Sequence, residues 1–265
     1  MDDGATPGMI PDQRREFLLK QLHQRTVLSV HELTGLLSVS HMTVRRDIAA
    51  LEREGKVFSV PGGVRLASQL RAEPSYDAKS VTDLPNKKAM AREAASLIAD
   101  GMTLYLDAGT TLLQMAPDLR DRDLTVVTND FNLTAALFDS DVDLFHIGGR
   151  VEHRNRSTVG TLATGLLAQV NVDLAFISTS SWDRHRGSTT PSESKVVVKR
   201  AAMAAAATSV LVAGSDKYGT VGMYRVADLP EFDIVITDEG LAPAAAAGIR
   251  DRGIDLRPAA PVAAD

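Results

Sequence analysis

The chain has 265 residues, of which 44% are hydrophobic and 24% are charged, and it contains no cysteine. This composition supports a packed core and excludes intrinsic disorder, and the length predicts one large domain or an ordinary domain with a smaller one. The lack of cysteine excludes disulfides, thiolate catalysis and cysteine-ligated zinc. No apolar run approaches the roughly 18 residues that span a bilayer, and residues 1–11 do not resemble a signal peptide. We therefore expect a soluble cytoplasmic protein that does not bind membranes.

The charges are distributed unevenly along the chain. Residues 10–66 carry nine Lys and Arg against six Asp and Glu, a net charge of +3, whereas residues 67–265 carry 20 against 26, a net charge of −6. A slightly basic small domain followed by an acidic large one is compatible with a first domain that faces nucleic-acid phosphates.

The N-terminal region begins with two short helical patterns. The first places the apolar residues between positions 17 and 22 on one side. The second opens at Ser29 with Glu32 three residues later, which is the pattern of a capping box, and it extends to Leu37.

A third helix follows a three-residue turn that ends at Ser40, and its buried face is expected to hold Val44, Ile48 and Leu51. Two short helices joined by a tight turn, with Thr and Arg at the front of the second, are the arrangement that places a helix in the major groove of DNA. Arg bridges guanine O6 and N7 or pairs with phosphate, while hydroxyls suit phosphates or base edges. The candidate DNA-binding residues are Ser40, His41, Thr43, Arg45 and Arg46.

Two further features complete this region. Asp47 would repel phosphate, so we expect it to pair with a basic residue of the protein itself. Residues 56–65 alternate and then turn at Gly62-Gly63, which predicts the β-wing of a winged helix. A generic three-helix bundle with solvated arginines would show much of the same pattern and remains the alternative at this point.

A resemblance strengthens the DNA-binding interpretation. The run from Val39 to Glu52, together with Gly55 and Pro61-Gly62-Gly63, contains the string S-x-x-T-x-R-R-D-x-x-x-L-E-x-x-G. It resembles the DeoR-type family of bacterial transcriptional regulators. The resemblance implies that Thr43, Arg45 and Arg46 lie on the DNA-recognition helix.

The remainder of the chain predicts an α/β domain. Residues 67–85 show no sustained periodicity and contain two prolines, which predicts a connector between a winged helix-turn-helix domain at 10–66 and an α/β domain at 86–258. From residue 86 onwards strand and helix patterns alternate, which predicts a mostly parallel, Rossmann-like sheet covered on both faces. The predicted strands are 103–107, 124–128, 142–147, 173–179, 209–213 and 233–237. The predicted helices are 88–98, 111–119, 131–138, 193–206 and 241–251.

Glycines, hydroxyls and polar side chains follow three of the predicted strands. Ligands of such sheets bind at the carboxyl ends of the strands, and a helix N-terminus favours anions, so these segments predict an oxyanion site. Ordinary turns capped by Thr, Asn and Asp would look the same at any single strand. The candidate residues are Asp107, Gly109, Thr110, Thr111, Thr128, Asn129, Gly148 and Gly149.

The same segments resemble the effector domain of the DeoR-type family. The strings D-x-G-T-T, T-N, G-G, S-T-V-G and S-x-K-x-G occur in that order. The resemblance implies a fold similar to ribose-5-phosphate isomerase and a phosphorylated sugar or related metabolite as effector. It implies that residues 109–111 hold the phosphate, that Lys217 supplies a positive charge to the ligand, and that Glu193 is an inward polar residue facing sugar hydroxyls.

The segment from Ser178 to Gly187 is a candidate determinant of ligand specificity. It follows a predicted strand and contains the single tryptophan, Trp182. Arg184 and Arg186 would meet the carboxylate of a sugar acid; a plain surface loop is the alternative.

Together these features predict a transcriptional regulator, specifically a repressor of a carbohydrate or sugar-acid catabolic operon. Its partners would be double-stranded operator DNA, a phosphorylated sugar or sugar-acid effector and further copies of itself, because one helix-turn-helix reads too few bases. The alternative is a sugar-phosphate isomerase or transferase on the same fold, with Glu193 as base and Lys217 as electrostatic partner. The histidines show no metal-ligand spacing, so neither a metal nor another cofactor is expected.

Overall fold

The computed structural model describes residues 9–25, 27–54, 56–60, 63–66 and 75–261. These residues form two compact units, one within residues 1–73 and the other within residues 74–265. Each unit has its own hydrophobic core. None of the helices in the described part of the chain combines the length and the apolar character needed to cross a bilayer.

The first unit contains three helices and a two-stranded antiparallel hairpin, which confirms the predicted winged helix-turn-helix. Its elements are α1 (Pro11–Gln24), α2 (Val30–Leu37), α3 (His41–Arg53), β1 (Val57–Val60) and β2 (Gly63–Leu66). The core contains the predicted residues Val44, Ile48 and Leu51 of α3, each at most 5% exposed. Spacings of three and four residues place these side chains on one helix face.

The turn between α2 and α3 is set by local hydrogen bonds. The carboxylate of Glu32 accepts from the N–H of Ser29 at 2.8 Å and the Ser29 hydroxyl accepts in return, which closes the predicted capping box. Ser38 ends α2 with a φ of 52°, and the Ser40 hydroxyl accepts from the N–H of Thr43 at 3.2 Å to begin α3. Each cap stabilises its helix by about 1 kcal/mol.

The hairpin is held against the entry to α2. The main chains of Leu28 and Val64 exchange hydrogen bonds of 3.1 and 2.8 Å. A Cβ atom at Gly63 would lie 2.3 Å from the carbonyl oxygen of Leu28, so no larger residue fits there without moving the backbone. Gly55 and the predicted turn residues 61 and 62 lie outside the described residues.

Asp47 is buried and pairs with a basic residue, as the sequence predicts. Its two carboxylate oxygens accept from the guanidinium of Arg14 in α1, at 2.8 and 3.3 Å. The pair ties α1 to α3 and removes the negative charge from the surface that carries the arginines of α3.

The second unit is an α/β domain. Its strands are β3 (Thr103–Leu106), β4 (Thr125–Thr128), β5 (Asp143–His146), β6 (Arg150–Glu152), β7 (Ser157–Val159), β8 (Val172–Ser178), β9 (Ser181–Asp183), β10 (Gly187–Thr190), β11 (Ala206–Val212), β12 (Tyr224–Ala227), β13 (Ile234–Asp238) and β14 (Asp255–Ala259). Its helices are α4 (Tyr76–Ser80), α5 (Leu84–Ala95), α6 (Ala116–Leu119), α7 (Phe131–Leu137), α8 (Thr164–Leu167), α9 (Glu193–Ala205) and α10 (Pro243–Arg250).

Seven of these strands form one parallel sheet in the order β14-β13-β11-β8-β3-β4-β5. Along the chain the sheet grows from β3 outwards to β5 and then returns to the other side of β3 with β8. This is a doubly wound order, and the direction reverses between β3 and β8. Strands β6 and β7 form a separate hairpin, and β9, β10 and β12 form a small antiparallel sheet.

Both faces of the large sheet are covered, because its central strands are apolar at successive positions. Val126 of β4 and Phe176 of β8 face one core. Their chain neighbours Val127 and Ile177 face the other core, which α9 and α10 cover. The six strands predicted in this domain are therefore confirmed, with bounds that differ by at most three residues.

The sequence pattern predicted neither the strands of the two small sheets nor α8, and three further features of the domain differ from the prediction. The sequence pattern missed β14, which contains Pro258 and charged residues and forms an edge of the sheet, where proline is tolerated. The predicted helix 111–119 is a 3₁₀ turn at Leu112–Met115 followed by the short α6. Residues 67–74 of the predicted connector lie outside the described residues, whereas residues 75–85 are folded and include α4.

Long-range contacts explain why α4 is ordered. Its first N–H, on Tyr76, donates to the carbonyl of Arg154 at 3.0 Å, and the guanidinium of Arg156 lies 4.8 Å from the Tyr76 ring centre. Lys79 donates to the side chain of Asn155 at 2.7 Å. These partners lie in the turn between β6 and β7, far along the chain from α4, so local periodicity could not reveal the helix.

Replacing Asp47 by Ala should destabilise the first unit by about 2 kcal/mol, because the buried side of the Arg14 guanidinium loses its charged acceptor. Urea unfolding followed by circular dichroism measures this change. Arg15→Ala is the matched control, since its pair with Glu54 is exposed and should contribute less than about 1 kcal/mol. Equal effects of the two substitutions would contradict the assignment.

Candidate functional site

The reversal of strand order places the candidate site between the carboxyl ends of β3 and β8. In doubly wound sheets a crevice forms at this position, because the flanking connections leave to opposite faces. Residues 107–111 follow β3, and Ser178 ends β8. A Cβ atom at Gly109 would lie 3.0 Å from the Cβ of Ser178, so glycine allows the two strand ends to approach.

Asp107 holds this crevice together. Its carboxylate accepts hydrogen bonds from the N–H of Ser178 at 3.0 Å and from the Ser178 hydroxyl at 2.6 Å, and it forms an ion pair with Lys199 of α9. Asp107 is 2% exposed and Lys199 is 5% exposed. In the structure the carboxylate of Asp107 joins two strands and a helix, and its predicted contact with the effector stays a prediction.

Sequence reasoning missed Lys199. The available signal was its place next to Val198 on the buried side of α9, where a charged side chain requires a partner. The neighbouring Tyr105 hydroxyl is also buried and has no hydrogen-bond partner in the described part of the chain. Burial and the nearby charge of Asp107 raise the pKa of Tyr105 well above its ordinary value.

Two predicted residues of the β4 end shape the loop after β3. The Thr128 hydroxyl donates to the carbonyl of Leu106 at 2.7 Å. The Asn129 side chain accepts from the N–H of Ala108 at 2.8 Å and donates to the carbonyl of Thr158 at 3.0 Å. Both side chains therefore have their bonds within the protein.

Gly109 does not present a free N–H to a ligand. Its N–H donates to the carboxylate of Asp130 at 3.1 Å, a residue the sequence analysis did not select. Asp130 also accepts from the main chain and side chain of Asn132 and begins α7. Burial raises the pKa of Asp130, and these hydrogen bonds oppose that change.

Thr110 and Thr111 remain available for an anion. Among the described residues, neither their N–H groups nor their hydroxyls have a hydrogen-bond partner. Both residues directly precede the 3₁₀ turn at Leu112–Met115, where unpaired N–H groups carry partial positive charge. Within the predicted segment, residues 110 and 111 therefore keep unpaired donors, and their binding of an anion stays a prediction.

Of the two glycines after β5, only Gly149 is required by packing and backbone conformation. Gly149 has a φ of 135°, and a Cβ atom there would lie 2.9 Å from the side chain of Ala163. Gly148 has no atom within 4 Å of such a Cβ. Arg150, which follows them, donates to the hydroxyl of Ser194 at 2.8 Å. The pair turns the chain into the β6–β7 hairpin.

Glu193 does not have the expected inward position. It is exposed in the first turn of α9, where its negative charge suits the positive end of the helix. Lys217 is half-buried in a 3₁₀ turn that follows β11, and so it lies at the carboxyl-end edge of the sheet.

Lys87 is a basic residue of this edge that the sequence analysis missed. It lies in the first turn of α5, is 8% exposed and donates to the main-chain carbonyl of Lys79. Burial lowers the pKa of Lys87, and the positive charge of Lys217 lowers it further. Within the described residues Lys87 has no ion-pair partner, so an anion bound beside it would stabilise its charge.

The predicted specificity segment, residues 178–187, contains one core residue and two arginines. Trp182 is fully buried and donates its indole N–H to the carbonyl of Gly214 at 3.0 Å, so its ring is part of the core. Arg184 lies against Gly248 of α10, and its carbonyl accepts from Arg252, which precedes β14. Arg184 also lies beside Tyr218, the neighbour of Lys217, and Arg186 is exposed in the same turn, so a role of the two arginines in ligand specificity stays a prediction.

The first unit presents its predicted residues on one surface. Ser40, His41, Arg45 and Arg46 are exposed at the start of α3, and Thr43 is half-exposed with its hydroxyl 2.9 Å from that of Ser40. Arg45 and Arg46 make no ion pair within the described residues. Their charges are therefore free to meet phosphates or guanines.

A winged helix-turn-helix joined to a doubly wound domain with polar groups at its switch point defines a DNA-binding regulator with a ligand-sensing domain. Comparisons with known proteins give the same class. The model of a DeoR-like helix-turn-helix domain matches residues 14–70, and that of a DeoR C terminal sensor domain matches residues 82–239. The chain belongs to the DeoR family of transcriptional regulators.

Individual relatives support this assignment. An HTH-type transcriptional regulator of Haemophilus influenzae is 44% identical over 94% of this chain and 97% of its own length. The regulator YgbI of Escherichia coli is 43% identical over 94% of this chain and 98% of its own. The transcriptional repressor GlcR of Bacillus subtilis is 32% identical over 87% and 89%.

Solved structures also match part of the chain. A ribose 5-phosphate isomerase from Methanocaldococcus jannaschii aligns with 50% of this chain and 53% of its own, with 16% identity and a TM-score of 0.38.

Within the described residues, no group of three or more His, Asp or Glu side chains is placed to hold a metal ion.

His146, at the carboxyl end of β5, favours its neutral form because its ring is partly buried. The Thr134 hydroxyl donates to the carbonyl of Asp130 at 2.9 Å, so its oxygen accepts from Nδ1 of His146 at 2.8 Å. Nε2 then lacks a proton, and it is buried with no partner in the described part of the chain. Phe131 stacks on the ring with 4.6 Å between centroids. Burial lowers the pKa of His146.

The stability of the second unit should therefore fall in mild acid. Because the folded pKa of His146 lies below the unfolded value of about 6.5, the unfolded state binds the proton more readily. The contribution is complete above that value and is lost as the pH falls through the lower folded pKa. Urea unfolding between about pH 8 and pH 5 should show a smaller decline for His146→Asn than for the wild type. His185→Asn, at an exposed position, should leave the wild-type decline unchanged, and an unchanged decline in His146→Asn would contradict the role of burial.

Proposed function

We propose that this protein represses a carbohydrate or sugar-acid catabolic operon and that a phosphorylated sugar or sugar acid relieves the repression. The observation that carries the proposal is the combination in one chain of unpaired arginines on α3 with unpaired N–H groups at the switch point of the second unit. The first group suits DNA phosphates and bases, and the second suits a small anion.

The DNA-binding role rests on chemistry at the start of α3. Arg45 and Arg46 are exposed, and Asp47, the acidic residue next to them, is neutralised by Arg14. A net charge of +3 over residues 10–66 favours the approach of this unit to DNA. One helix reads one half-site, so a dimer or a higher oligomer would bind two half-sites about 34–36 Å apart.

The effector role rests on the carboxyl-end edge of the sheet. The N–H and hydroxyl groups of Thr110 and Thr111 would hold a phosphate, and Lys87 and Lys217 would supply positive charge. Carboxylates and phosphates share this chemistry, so both sugar phosphates and sugar acids are candidates. Two relatives are named as repressors, GlcR and a putative aga operon repressor of Escherichia coli O157:H7, which supports repression as the mode of action.

Ligand binding would act as a shift between two populations. An effector that binds more tightly to the arrangement that fits the operator poorly lowers operator affinity by the same factor.

The alternative of an isomerase or transferase receives little support. Glu193, the base that such an enzyme would use with Lys217 as its electrostatic partner, is exposed in the first turn of α9. The relatives with high coverage are transcriptional regulators.

Selection of genomic fragments tests the proposal. Purified protein should recover one or a few intergenic sites, and a pool of sugar phosphates and sugar acids should release them. Arg46→Ala should weaken binding to a recovered site about 10-fold to 100-fold, because one charged base or phosphate contact is worth about 1–3 kcal/mol. Arg200→Ala, which changes an exposed arginine of the second unit, is the control. Recovery of only salt-sensitive, sequence-independent binding would contradict the proposal.

Lys87→Gln should raise the effector concentration needed for release by about tenfold or more, because a charge-assisted hydrogen bond is lost. Operator affinity without effector should stay unchanged. Lys88→Gln is the matched control, since Lys88 is the exposed neighbour on the same helix. Gel-shift titrations with the active compound from the pool measure both quantities. A normal response from Lys87→Gln would remove Lys87 from the site.

A further inference from the structure

The two edges of the seven-stranded sheet differ in how they are protected. Strand β14 contains Pro258, which has no N–H to donate, and its Asp255 and Arg257 pair with each other at 2.9 Å. Proline and charged residues are the usual means by which an edge strand avoids pairing with another chain. Strand β5 at the opposite edge reads Asp-Leu-Phe-His, and Phe145 is 43% exposed.

On the outer side of β5, main-chain N–H and C=O groups have no neighbouring strand within the described residues. The N–H groups of Asp143 and Ile147 donate inwards to carbonyls of the β4 segment, each at 2.9 Å. N–H and C=O groups alternate in direction along a strand, so those of Leu144 and His146 point outwards.

Helix α7 beside β5 has an apolar outer face. Leu133 and Leu137 point into the core, as expected for a surface helix. The opposite face carries Phe131, Ala135 and Phe138 at spacings of four and three, with Phe131 39% and Phe138 76% exposed. A helix that is apolar on both faces is normally buried on both. The stacking of Phe131 on His146 makes this face continuous with the β5 edge.

The two ends of this edge carry opposite charges. At the amino end, Asp139, Asp141 and Asp143 are exposed and have no ion-pair partner within the described residues. Arg120 lies near them but donates to the main-chain carbonyls of Ala136 and Asp139. Beyond the carboxyl end, the exposed basic residues are Arg150, His153, Arg154 and Arg156, of which Arg156 pairs with Asp77 at 2.7 Å and Arg150 donates to the Ser194 hydroxyl.

We propose that β5 and α7 form the interface with a second copy of this chain, through antiparallel pairing of β5 with β5 of the partner. Antiparallel pairing about a twofold axis brings the acidic end of each edge to the basic end of the other, whereas parallel pairing would bring like charges together. The apolar outer faces of the two α7 helices then cover each other on the same side of a continuous sheet.

The outward groups define the register. Leu144 pairs with His146 of the partner subunit, and the two symmetric pairs exchange four main-chain hydrogen bonds. Phe145 then meets the partner's Phe145 on the twofold axis as a non-hydrogen-bonded pair, with Cα atoms about 4.5 Å apart. That separation is within the range of about 4.4–6.8 Å that a disulfide requires.

The chain lacks cysteine, so a disulfide-linked dimer of a single-cysteine variant must be joined through the introduced residue. Phe145→Cys should form a disulfide-linked dimer under mild oxidation at micromolar concentration, seen on a non-reducing gel. Arg257→Cys at the opposite edge is the matched control and should remain mostly monomeric on the gel. A Phe145→Cys protein that stays uncrosslinked while light scattering shows a dimer would overturn the proposed surface.

A second variant does not depend on oxidation. Phe138→Glu should raise the dimer dissociation constant at least tenfold in sedimentation or light scattering, since it places two charges in the interface and leaves the core untouched. An unchanged dissociation constant would also overturn the proposal, as would a monomeric wild-type protein at the concentration that saturates a recovered operator.

The inference rests on the proposed function only in expecting a second copy, and the two can fail separately. Crosslinking through position 145 without selective recovery of genomic sites would retain the interface and remove the regulator proposal. Selective recovery without crosslinking would do the reverse.

Discussion

The buried ion pair between Asp107 and Lys199 is the interaction on which the second unit depends. It joins the end of β3 to α9 and, through Ser178, to the end of β8, at the one place where the strand order reverses. Removing either partner would leave an isolated charge away from water, which costs several kcal/mol. The pair therefore fixes the distance between the ends of β3 and β8.

This constraint decides which groups a ligand can use. The amides of Ala108 and Gly109 donate to the side chains of Asn129 and Asp130, so hydrogen bonds within the protein hold the loop after β3 in place. The groups that remain are those of Thr110 and Thr111, together with the basic side chains on neighbouring elements. A rigid set of unpaired donors binds an anion without the cost of ordering a loop.

The sequence predicted the elements well because each depends on local signals. The capping box at Ser29, the apolar spacing on α3 and the apolar runs of the sheet are all visible over a few residues. It did not show which candidate ligand residues are bonded within the protein, because their partners lie far along the chain. Lys199 lies 92 residues from Asp107, and Trp182 is buried by Gly214 and its neighbours. Residue type alone could not distinguish a group that binds the protein from one that binds a ligand.

The central claim is that an anionic effector binds at the carboxyl end of β3. Amide NMR spectra of the full chain, titrated with inorganic phosphate and then with the pool of sugar phosphates and sugar acids, test it most directly. The N–H signals of Thr110 and Thr111 should shift first and furthest, while those of Ala108 and Gly109 should shift less because their hydrogen bonds persist. Shifts confined to the loop of Arg184 and Arg186, or no shifts in the second unit, would contradict it.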